Sequence, residues 1–92
     1  MDAHSREWPD LDRLEEVLDS SMTWPGEYTF KFIVPRAETS HLVALLGELP
    51  FTERRSRTGK YIAVTVEARM ESSAAVIALY RRTAAVKGLI AL

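Results

Sequence analysis

Cysteine is absent from the 92-residue chain, which removes disulfide staples, thiolate zinc sites and a thiol nucleophile together. Histidine occurs only as His4 and His41, and neither has a His, Asp or Glu beside it at metal-ligand or relay spacing, so both are expected to be ordinary surface residues. The four glycines, Gly26, Gly47, Gly59 and Gly88, stand apart from one another. No phosphate-cradling loop is therefore present, and no serine sits in a nucleophile-elbow pattern. No apolar run approaches the roughly 20 residues that span a bilayer, and Met1 to Asp10 lacks the basic and apolar regions of a signal peptide. The expectation is a non-enzymatic, cytoplasmic protein with no membrane contact, no catalytic residue, no metal site and no cofactor.

What is present is the composition of a globular chain, 47% hydrophobic and 27% charged. At this length one core is expected, hiding about 60–65% of the surface that an unfolded chain exposes. The net charge of −1 conceals an asymmetry. Residues 1–26 carry seven acids against two bases, a balance of −5, and residues 27–92 carry six acids against ten bases, a balance of +4.

Asp10 is placed to cap a helix over about residues 9–20, in which Leu11, Leu14, Val17 and Leu18 recur at helical spacing. Three turns of helix are marginal alone in water, so this stripe needs the domain or a partner chain to lean on. Ser20, Ser21, Pro25 and Gly26 then form a linker. The chain thus divides into an acidic N-terminal extension, 1–26, and a domain, 27–92.

From Glu27 the period falls to two. Tyr28, Phe30, Phe32 and Val34 alternate with Thr29, Lys31 and Ile33, and Pro35 ends the strand. Glu38, Thr39 and Ser40 open a helix whose Leu42, Leu45, Leu46 and Leu49 share a face up to Pro50, with Gly47 weakening its last turn. The arginine-rich run Phe51 to Thr58 reads as a charged edge strand, and Thr58-Gly59-Lys60 as the turn after it. Tyr61 to Arg69 alternates again as a central strand, with Ile62, Val64, Val66 and Ala68 on one face. A second helix runs from Glu71, Ser72 and Ser73 to Gly88, burying Val76, Leu79, Tyr80 and Thr83, and Leu89 to Leu92 suffices for a short last strand. Two strand-helix-strand units joined by a hairpin imply an α+β, ferredoxin-like βαββαβ sandwich. Right-handed crossovers give a four-stranded antiparallel sheet of order 4-1-3-2 with two helices on one face, plus the N-terminal helix.

Four separated pieces, Trp24 to Pro35, Ser56 to Val66, Ala78 to Arg81 and Gly88 to Leu92, together resemble the YbeD-like family of small bacterial proteins of unknown function. The resemblance spans about residues 24–92. It implies a ferredoxin-like fold related to the ACT regulatory domains that bind amino acids, and it implies no established activity.

Three surfaces are then candidates for function. The hairpin cluster Arg54, Arg55, Arg57 and Lys60 is a candidate contact for an anion or a partner, nucleic acid being the less favoured partner because Tyr61 is the one clear aromatic on the open sheet face. Arg36, in the loop Val34 to Glu38, is the candidate for an ACT-type ligand site, although that loop lacks the glycine such a site usually employs. The helix bearing Leu11, Leu14, Val17 and Leu18 is expected to dock on the open sheet face, in this chain or a dimer mate, with Trp8 and Trp24 as anchors. An interaction or regulatory module working through protein-protein contacts is the favoured reading, and an amino-acid sensor of the ACT kind is the alternative.

Overall fold

The computed structural model describes residues 10–92, so the expectations for His4 and Trp8 lie outside the described residues. Helix α1 spans Leu11–Ser21, and the Asp10 carboxylate caps it by accepting from the Arg13 N–H. Strand β1 (Gly26–Pro35) is followed by a short 3₁₀ turn, Arg36–Glu38, and by helix α2 (Thr39–Leu46). Strands β2 (Phe51–Arg55) and β3 (Tyr61–Met70) form the hairpin, helix α3 covers Ser73–Thr83, and β4 is the pair Ile90–Ala91.

All neighbouring strands pair antiparallel in the order β2-β3-β1-β4, which read from the opposite edge is 4-1-3-2. Directly opposed residues share a face, and the pairs Phe30 with Val66, Phe32 with Val64 and Val34 with Ile62 place one apolar set together. All six side chains are buried against the helices. Tyr28, Phe30, Phe32 and Tyr80 form an aromatic group in this layer, with ring centroids 4.7 Å apart for Tyr28 and Phe30 and 5.2 Å for Phe30 and Tyr80.

Two helices end earlier than their sequence patterns imply. Leu46 is the last residue of α2, because Gly47 adopts φ +63 and turns the chain before Leu49 and Pro50. In α3 the Thr83 hydroxyl donates to the carbonyls of Leu79 and Tyr80, and the helix gives way to turns that bury Val86 and Leu89. Gly88 then passes at φ +74, where an added Cβ would lie 2.8 Å from the Pro35 ring.

The expected docking of α1 on the open sheet face is corrected: α1 lies beside α3, in the helical layer. Ser73, at the start of α3, donates to the carboxylate of Asp19 near the end of α1, and Arg81 at the other end of α3 meets Asp12 at 3.3 Å. The two helices therefore run antiparallel. Ser73, Ile77 and Arg81 form one stripe at four-residue spacing, and Ile77 between the two polar contacts is buried. Leu18 joins the main core, with Leu11, Leu14 and Trp24 packed against it. Val17 is 47% exposed, because at 3.6 residues per turn it falls about 90° from the centre of the leucine stripe. Physically, α3 offers apolar surface on two sides while the outer sheet face is mixed, so the helix's hydrocarbon is better hidden on α3.

The Tyr80 hydroxyl is within 3.1 Å of the Tyr28 hydroxyl. Burial first, and this hydrogen bond second, hold the Tyr80 phenol well above its ordinary value of 10.0. A proton held more firmly folded than unfolded contributes stability that is complete below that ordinary value and is lost as the pH rises past it. Denaturant melts between about pH 9 and 11 should show a steeper alkaline loss for the parent chain than for Tyr80→Phe. Equal slopes would remove Tyr80 as the cause.

Candidate functional site

The open face is built from the outward half of each strand's alternation. Thr29, Lys31, Ile33 and Ile90 come from β1 and β4, Tyr61, Ala63, Thr65 and Glu67 from β3, and Thr52 and Arg54 from β2. One cross-strand row differs from the others. Ile90 pairs with Ile33, Ile33 with Ala63 and Ala63 with Arg54, so three apolar side chains cross the sheet and end at a guanidinium. All three apolar residues remain partly exposed or lie near the surface on this side.

At the end of this row is a concavity of about 440 Å³ lined by Ile33, Ala63, Tyr61, Arg54, Arg55, Ser56 and Arg57. Its rim is held by the hairpin turn. The Ser56 N–H donates to the Tyr61 carbonyl at 2.9 Å, the Tyr61 N–H donates back to the Ser56 hydroxyl at 3.1 Å, and the Gly59 N–H donates to the Ser56 carbonyl at 3.0 Å. Gly59 adopts φ +75, the left-handed residue that lets a short hairpin loop rejoin its strand. The turn thus fixes where the arginine backbones lie, while their side chains stay exposed.

Three of the four hairpin cations, Arg54, Arg55 and Arg57, line the concavity, and Lys60 does not. Arg36 joins the same end of the molecule through its backbone, its N–H donating to the Lys60 carbonyl at 2.9 Å. Its side chain is exposed and stands outside the concavity. Among the described residues, the ion pairs within 4 Å are His41 with Glu38 and Arg81 with Asp12. None of Arg36, Arg54, Arg55, Arg57 and Lys60 is neutralised at that range by a carboxylate of the described residues. Five like charges at one end produce a local positive potential, despite the near-neutral total.

His41 does have an acidic neighbour. Its Nδ1 lies 3.6 Å from Glu38 Oε1 across one helical turn, in an exposed pair that the spacing of three residues allows. The leucines of α1 lie away from the concavity, and Trp24 packs against the main core with its indole N–H buried and without a hydrogen-bond partner among the described residues. What the sequence pattern obscured is the joining of Ile90, Ile33 and Ala63 into one row. The signal was the apolar Ile33 at an outward position, whose value depends on cross-strand register.

Residues 19–91 match a family model described as a protein of unknown function (DUF493). Neither a curated protein nor a solved structure matches the chain.

Proposed function

Because this chain belongs to DUF493, the YbeD-like family of proteins of unknown function, we propose its role from geometry: a non-enzymatic, ferredoxin-like interaction domain that makes protein-protein contacts at the basic end of its open sheet face. The observation that carries this reading is the set of three arginines around one concavity that have no carboxylate partner within 4 Å among the described residues, next to an apolar cross-strand row. Such a surface combines hydrocarbon to be covered with cations that steer and orient an oppositely charged partner. A second reading, sensing of an amino acid in the ACT manner, is supported by the volume of the concavity, which falls within the range of small-molecule sites. The position of Arg36 outside it weighs against that alternative.

A photoreactive amino acid placed at Thr58 in the turn, and separately at Ser20 on the outer side of α1, tests the first reading. A defined adduct from position 58 that disappears in the double variant R54E and R57E is expected in a native lysate, and position 20 should yield none. Adducts from position 20 alone would overturn it. A thermal shift with an amino acid that survives R54E and R57E but is lost in R36E would favour the second.

A further inference from the structure

We propose that the occupant of this face is an extended acidic segment of a partner protein, with one large apolar side chain seated over Ile33 and Ala63 and its carboxylates on Arg54 and Arg57. The inference rests on the reading above and names the chemistry of the partner. Neighbouring strands lie about 4.8 Å apart, so the row from Ile90 to Arg54 spans about 14 Å. An extended chain covers that distance with about four residues. The row changes from hydrocarbon at β4, β1 and β3 to guanidinium at β2, which asks for a ligand with the same order of chemistry, apolar then anionic. Arg54, on the open face, and Arg57, in the turn, line the same concavity and favour more than one anionic group, since each fork binds a carboxylate in its own plane.

Other occupants fit less well. Single-stranded nucleic acid gains most of its sequence-independent affinity from stacking, and Tyr61 is the one aromatic ring on this face among the described residues. A second copy would have to offer α1, the acidic element, in which Asp12 and Asp19 are engaged by Arg81 and Ser73 of their own chain and Glu15 and Glu16 sit on a helix and not on an extended segment that can follow the row.

The test uses the full chain and a fluorescein-labelled peptide of glutamates around a single phenylalanine, read by anisotropy. Binding should weaken as salt rises, because the charges are exposed. Changing the peptide's phenylalanine to alanine should weaken it several-fold. The double variant R54E and R57E should weaken it about tenfold or more, as two exposed attractions become repulsions, and should bind the lysine counterpart of the peptide in its place. Unchanged melting temperature of the variant would separate lost binding from lost folding. Equal affinity for the alanine peptide, salt-independent binding, or tighter binding of inorganic phosphate or oligothymidylate at the same arginines would each overturn the inference. If the peptides fail to bind while the arginine-dependent adduct from position 58 persists, the acidic-segment inference falls and the broader reading stands. Absence of both defeats both.

Discussion

Phe30→Ala is expected to lower the unfolding free energy by about 3–5 kcal/mol, the range for deleting a fully buried aromatic ring. Phe30 has no solvent exposure, and its ring meets Tyr28, Phe32 and Tyr80. The loss combines transfer free energy with the cavity left between strand and helix, which central strand β1 cannot close without disturbing its partners on both sides. In a domain of this size the drop in melting temperature should exceed about 12 °C. Phe51→Ala, at a half-buried position on the edge strand, should cost clearly less. A Phe30→Ala protein that melts within a few degrees of the parent would mean that the ring is not at the centre of the core.

The second large effect belongs to α1. Leu18→Ala should cost about 2–5 kcal/mol, whereas Val17→Ala, one residue earlier and largely in water, should stay within about 0.5 kcal/mol. This contrast discriminates between a helix docked through Leu18 and one free in solution. A free helix would lose little from Leu18→Ala. Comparable effects at the two positions would show that α1 is not held by its leucine stripe.

Strands β1 and β3 were legible in the sequence because alternation over ten residues leaves a single register that buries Phe30, Phe32, Val64 and Val66 together. Strand order followed from the handedness of crossovers and from the charge of the run at Arg54. Helix ends were less legible. Leu49 continues the apolar spacing of α2, but spacing carries no information on whether Gly47 has already turned the chain. The lateral position of α1 was hidden for a different reason: a leucine stripe states how much hydrocarbon needs cover and not which surface supplies it. Ile77 was the local clue, an apolar residue outside the face formed by Val76, Leu79, Tyr80 and Thr83. For the site, the residue types were visible but their convergence was not, since Ile33 and Arg54 are brought into one row only by the pairing of each with Ala63.

The lock between α1 and α3 also determines where a stable fragment can begin. A chain cut at residue 19, where the family match starts, would bare Ile77, take Asp12 away from Arg81 and leave Asp19, the acceptor of Ser73, with no helix to hold it in place. A fragment that keeps this packing therefore includes Asp10, whose carboxylate secures the first turn of the helix that roofs this flank.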